Sequence, residues 1–139
     1  VDCDLSQKGC LQAAFTSKYL PRLMASVDLL ATSGLKRAQL TALACIKSYE
    51  VPIPIIVDGR LNERNYGDLN GLDKLVLVQR YGTDKVLAWR RSLDAIPPGG
   101  ESTRQTQKRV MNCFRERILP LLKNAASVML VAHGNTSRS

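Results

Sequence analysis

Apolar side chains fall at Leu11, Ala14, Phe15 and Tyr19, the spacing of a helix over 6–20. Ser6 can cap that helix, and Pro21 should end or bend it. The pattern then shortens: "VDLLATS" (27–33) reads as an apolar strand. Helical spacing returns over 34–50, where Leu35, Ala38, Ala42, Cys45 and Ile46 share one face. A second strand is predicted over 53–58, and Pro52 and Pro54 push it toward a sheet edge. A polar loop fills 59–73, followed by two short helices within 74–92 broken near Gly82, and by the loop "LDAIPPGGE". Ser102 and Gln105 form a capping-box pair. The helix that starts there should bury Val110, Cys113, Phe114, Ile118 and Leu121, with Pro120 kinking its last turn. The last strand, 128–132, runs into His133.

Strands that alternate with helices imply an α/β fold, three layers deep, with a mainly parallel sheet. Such sheets take ligands at the carboxyl ends of their strands. Thr32, Ser33 and Arg37 follow the first strand, Glu63 lies in the loop after the second, and His133, Gly134 and Asn135 follow the third. No repeat or linker divides the chain, so a single domain over 1–139 is expected. Three strands are few where about five or six are usual. A first strand and a closing segment are therefore expected beyond residues 1–139.

Charge narrows the ligand. The 139 residues carry a net charge of +8, which favours anionic partners. The basic residues are dispersed, and aromatic content is 5%, poor for base stacking, so nucleic acid is not expected. A small, highly charged anion suits scattered arginines better. No apolar run approaches the ~20 residues of a membrane helix, and the polar start does not read as a signal peptide. Cys3, Cys10, Cys45 and Cys113 lack metal-ligand spacing and read as reduced, mostly buried thiols in a cytoplasmic protein. With one histidine in the chain, no metal is expected.

Four stretches carry candidate chemistry. "LNERNYGDLNGLDK" packs Glu63, Arg64, Tyr66 and Lys74 around Gly67 and Gly71, which permit sharp turns. Glu63 beside a phosphate could act as a general acid. "SGLKRA" sets Arg37 on the first turn of a helix, where an anion also meets free N–H groups. "AWRRS" offers Arg90 and Arg91, although adjacent helical positions diverge unless the helix ends there. His133 is delivered by a strand into a glycine. Taken singly, each also reads as a solvated loop, an exposed helix residue, a basic face or a structural histidine.

Together, "TSGLKRAQLTA", "LNERNYGDLNGLDK", "AWRRSLDAIPPGGES" and "VMLVAHGNTSR", in this order, resemble the cofactor-dependent phosphoglycerate mutases of the histidine phosphatase superfamily. "VDCDLSQKG" is similar to the segment after that family's first catalytic loop. The resemblance implies that His133 is the second active-site histidine and that Glu63 handles the substrate hydroxyl. It implies phosphate binding by Arg37, Gly134 and Asn135. Tyr66, Lys74, Arg90 and Arg91 would grip the glycerate carboxylate and the distal phosphate, with Arg64 and Asn65 along the same wall. The family commonly has histidine where Asn65 stands and leucine where Ser137 stands.

The implied activity is interconversion of 3- and 2-phosphoglycerate through a phosphohistidine, in glycolysis and gluconeogenesis, primed by 2,3-bisphosphoglycerate. The nucleophilic histidine would sit in an Arg-His-Gly motif before Val1, so residues 1–139 alone are expected to be inactive. A bisphosphoglycerate mutase, a phosphatase of the same fold and a catalytically dead anion-binding relative are the alternatives. A homo-oligomer is left open.

Overall fold

A computed structural model describes residues 2–123 and 127–138. Helix α1 (Gln7–Leu23) is capped by the Ser6 hydroxyl, which accepts from the Gly9 amide. Pro21 lies inside its last turn rather than ending it. The ring removes one amide donor, and the helix closes when the Met24 amide reaches the Leu20 carbonyl. The apolar stripe of α1 turns outward: Leu11, Phe15 and Tyr19 are 68%, 63% and 45% exposed, while Ala13 and Ser17 are buried. Helical period located this helix, but Ala13 and Ser17, with Leu20 near its end, form its contact with the body.

Strands β1 (Leu29–Thr32), β2 (Ile55–Val57) and β3 (Val128–Val131) form one parallel sheet in the order β2-β1-β3. The proline-flanked β2 is an edge strand, as expected. Helix α2 (Lys36–Ile46) follows β1, and α3 (Lys74–Tyr81) and α4 (Thr83–Arg91) form the predicted pair broken at Gly82. Helix α5 (Thr103–Cys113) starts on a complete Ser102/Gln105 capping box.

Pro120 does not produce a simple kink. A π turn over Phe114–Ile118 precedes it, with the Leu119 amide reaching the Phe114 carbonyl, and α6 (Leu119–Lys123) follows. The widened turn makes room for a ring that would otherwise press on a carbonyl one turn back. A short helix, α7 (Gly134–Arg138), ends the described chain.

The two faces of the sheet build two cores. Leu30 and Met129 pack with Val27, Ala42, Cys45 and Ile53 beneath α1 and α2. Ala31 packs on the opposite side with Leu61, from the turn after β2, and with Val110, Cys113 and Ile118 of the α5–α6 layer. The expected α/β/α layering is therefore present. Cys45 and Cys113 are buried, whereas Cys3 and Cys10 are exposed, so the thiols are less buried than composition suggested; all four are free. Among the described residues no helix is long and apolar enough to cross a membrane.

The loop after β2 is held against the segment before α5. The Asp68 amide donates to the Pro98 carbonyl (2.9 Å) and the Glu101 amide to the Asn65 carbonyl (2.9 Å). At Gly67 the backbone has φ +58°, and a Cβ there would overlap the Pro98 oxygen and the Gly100 nitrogen. At Gly82 φ is +83°, with open space around it. Gly82→Ala should thus cost backbone strain alone, about 1–3 kcal/mol. Gly67→Ala should cost more and loosen the 64–68 loop. Chemical denaturation midpoints of the two variants test that order, and equal losses would refute the close docking.

Candidate active site

Three strand ends converge as the sheet topology requires. Thr32 pairs with Val57 on one side and Val131 on the other, so the segments after all three strands leave the sheet at one end. The Thr32 hydroxyl donates to the Val131 carbonyl (2.9 Å), tying two of these exits together. Ser33, fully buried, lies 2.8 Å from His133 Nε2 through its hydroxyl oxygen, which also accepts from the Leu35 amide (3.2 Å). Burial holds the His133 imidazole below its ordinary pKa, and the nearby Arg37 and Arg109 cations add to this, while Glu63 opposes them. These surroundings favour the neutral imidazole.

Glu63 faces the same corner. One carboxylate oxygen accepts from the Arg64 amide (2.8 Å), and the other lies 3.4 Å from the Asn135 amide. The neighbouring Asn62 ties the loop to the segments after β1 and β3. Asn62 Oδ1 accepts from the Gly34 amide (2.8 Å), and its carbonyl accepts from the Thr136 hydroxyl (2.9 Å). At the first residue of α2, the Lys36 amide donates to the Asp2 carboxylate (2.8 Å).

The strongest fastening comes from Arg109 on α5, a residue that helical periodicity did not single out. Its guanidinium donates to the carbonyls of Arg60 (2.6 Å), Asn62 (2.8 Å) and Glu63 (3.2 Å) and forks onto the Glu101 carboxylate. Glu101 in turn accepts from the Asn65 amide (2.9 Å). Burial pushes the Glu101 carboxyl up, but bonds from Arg109 and the Asn65 amide outweigh it and hold the group below its ordinary value.

Arg64 and Asn65 line the site but are largely spent on the protein. Arg64 is 3% exposed, and its guanidinium donates to the Glu101 and Ala95 carbonyls and the Thr103 hydroxyl. It also stacks at 4.9 Å on the Tyr66 ring. Asn65 Oδ1 accepts from the Gly67 amide and the Asn70 side chain. The resemblance places both along the binding wall; the geometry ties their side chains to neighbouring protein groups.

Two cavities flank Tyr66. One, of about 570 Å³, is lined by Arg37, Glu63, Arg64, Asn65 and Arg109 among others. The second, about 440 Å³, is lined by Lys74, Arg90, Arg91, Asn135 and Arg138. Arg90 and Arg91 share it because α4 ends at Arg91, so the diverging geometry of a helix interior does not apply. Among the described residues no carboxylate pairs with Lys74, Arg90, Arg91 or Arg138. Unneutralised cations around a cavity attract a multiply charged anion. Arg138 was not anticipated; its guanidinium folds back beside Gly134.

The sequence matches the profile of the histidine phosphatase superfamily (branch 1) over residues 1–139. The chain belongs to that superfamily. As a histidine phosphatase superfamily member it is 46% identical over 112 residues to a protein of Cytophaga hutchinsonii named 2,3-bisphosphoglycerate-dependent phosphoglycerate mutase, covering 81% of this chain and 53% of that one. It is 41% identical over 139 residues to a protein of the same name from Methylobacterium sp. (strain 4-46), covering 99% of this chain and 67% of that one. The chain thus spans about half to two thirds of the length of these relatives. Among solved superfamily structures, a mycobacterial glucosyl-3-phosphoglycerate phosphatase superposes with a TM-score of 0.82 at 28% identity, covering 99% of this chain and 66% of that one. The α/β fold expected from sequence is the fold of these phosphoglycerate mutase-like proteins.

The Arg109–Glu101 clamp has a pH signature. A carboxyl held below its ordinary value near 4.5 adds stability at neutral pH and loses it as pH falls through the folded-state value. Glu101→Gln should lower the denaturation midpoint at pH 7 and flatten its decline between about pH 5 and 3. Arg109→Ala should cost about 2–3 kcal/mol at pH 7, as a charged group loses its hydrogen-bonded partner. Parallel acid limbs for wild type and Glu101→Gln would count against the clamp.

Proposed function

We propose that the full-length protein interconverts 3- and 2-phosphoglycerate by way of a phosphohistidine, primed by 2,3-bisphosphoglycerate. The observation that carries this reading is the pair of cation-lined cavities joined at Tyr66, with Glu63 on the wall of one and Asn135 on the wall of the other. The relatives' names support it.

Each residue has a role that its surroundings allow. Arg37 neutralises the transferring phosphoryl group, and His133 donates a hydrogen bond to it together with Asn135 and the Gly134 backbone. Glu63, fixed by the Arg64 amide, exchanges a proton with the glycerate hydroxyl. Lys74, Arg90, Arg91 and Tyr66 hold the carboxylate and the remaining phosphate. Positioning and charge neutralisation supply most of the rate in phosphoryl transfer.

The donor set fits 2,3-bisphosphoglycerate: there are cations in both cavities for its two phosphates, and the second cavity has no carboxylate in its lining. When bound, that molecule would supply the phosphoryl group that charges the enzyme. The histidine that accepts it would be a second one, since His133 is assigned the donor role and one imidazole cannot meet both demands at once. The setting proposed is glycolysis and gluconeogenesis in the cytoplasm, with no metal required. A phosphatase reading is favoured by one observation, the superposition on a sugar phosphoglycerate phosphatase.

A coupled assay of the full-length protein, with and without 2,3-bisphosphoglycerate, separates the readings. Primer-dependent mutase turnover and a phosphohistidine by mass spectrometry are expected. Primer-independent phosphate release would favour the phosphatase. His133→Ala should slow turnover by ~10²-fold or more, the scale for one preorganised donor. Arg37→Ala and Arg90→Ala should each weaken phosphoglycerate binding by about 2–3 kcal/mol, whereas Arg117→Ala should change little. A polypeptide of residues 1–139 alone should neither turn over nor become phosphorylated.

A further inference from the structure

Which ring nitrogen of His133 meets the ligand is decided by Ser33, which the sequence places at a strand's carboxyl end without giving it a role. Ser33 follows β1 and His133 follows β3, and the parallel register Thr32↔Val131 brings the two together. The Ser33 hydroxyl oxygen lies 2.8 Å from Nε2. The same oxygen already accepts from the Leu35 amide at 3.2 Å. Ser33 is 0% exposed, so its hydroxyl hydrogen has no route to solvent. Among the described residues Nε2 is the one acceptor paired with that hydroxyl.

These facts leave one satisfied arrangement for the neutral ring. If Nε2 carried the proton, it could donate to the second lone pair of Ser33, but the buried hydroxyl hydrogen would then point at nothing. An unmet buried donor costs about 1–3 kcal/mol. With the proton on Nδ1, the hydroxyl donates to Nε2, the Leu35 amide donates to the hydroxyl, and every group is paired. We propose that Ser33 is a positioning residue that locks neutral His133 as the Nδ1–H tautomer and presents Nδ1–H, not Nε2, as the donor to a bound anion. Nδ1 has no protein partner among the described residues, so it is available for that contact.

The consequence is that His133 need not be an imidazolium to bind phosphate. Charged groups near the ring come from three elements: Arg37 on α2, Glu63 on the loop after β2 and Arg109 on α5. Two of them are cations that disfavour a third positive charge. A neutral donor avoids that repulsion and still supplies a hydrogen bond.

The tautomer can be read without any turnover, so this inference and the mutase reading fail separately. The experiment is a long-range ¹H–¹⁵N correlation on histidine-labelled full-length protein, at a pH at least one unit above the His133 titration. Signals of His133 are assigned by their loss in His133→Asn. In the wild type, Nδ1 should appear protonated and Nε2 unprotonated, the reverse of the preference of a free histidine side chain. Ser33→Ala should shift the balance toward Nε2–H by at least twofold, with an otherwise native amide spectrum.

A wild-type ring protonated at Nε2 overturns the proposal by itself, even if Ser33→Ala does not fold. So does a folded Ser33→Ala protein with an unchanged tautomer. Inorganic phosphate should perturb the Nδ1–H signal more than Nε2, and the opposite response would also overturn it. If phosphate perturbs neither nitrogen while the tautomer is as expected, the binding role of the site fails and the Ser33 lock stands.

Discussion

A single guanidinium sets the geometry of the corner that Glu63 shares with His133. The loop after β2 has little regular structure of its own, so its carbonyls must find partners or face water. Arg109 meets three of them and closes the arrangement on Glu101, whose carboxylate also takes the Asn65 amide. The segment carrying Asn62, Glu63 and Arg64 is thereby cross-linked to the start of α5. A looser loop would leave the Glu63 carboxylate free to swing, and a reacting group displaced by an ångström loses much of its effect; under the proposed function Glu63 is such a group.

Around that corner the charges divide into two populations. Arg60, Arg64, Arg104 and Arg109 are bonded to carboxylates, hydroxyls or carbonyls of the protein, and they hold the fold. Lys74, Arg90, Arg91 and Arg138 meet no carboxylate among the described residues, and they line a single cavity. The net charge of +8 therefore understates how the cations are arranged. Those that brace are neutralised locally, and those that face the cavity keep their field for a ligand.

Much of this was readable from the chain, for reasons that differ by element. The strands, the Gly82 break and the Ser102 capping box rest on local patterns, and local patterns survive folding. The outward turn of Leu11, Phe15 and Tyr19 was not readable, because a helix period reports an apolar face without saying what it faces. Arg64 and Arg109 show the same limit in the site. A sequence displays an arginine near Glu63, but whether its donors are already spent depends on carbonyls that approach only in three dimensions. Ser33 was visible as a strand-end residue. Its partnership with His133, a hundred positions away, follows from strand register alone.

The π turn at Phe114–Ile118 separates the phase of the helix before it from the phase after it. Cys113 and Ile118 both bury against Ala31 and Leu61, yet five residues of straight α-helix would set them about 140° apart around the axis. The wide turn absorbs that mismatch as one surplus residue. Shortening this stretch by one position would leave the two side chains four apart, still on one face. Straightening the helix would, however, bring the Pro120 ring back onto a carbonyl one turn earlier; a one-residue deletion here is therefore compatible with the core behind the Glu63 loop only when Pro120 is replaced as well.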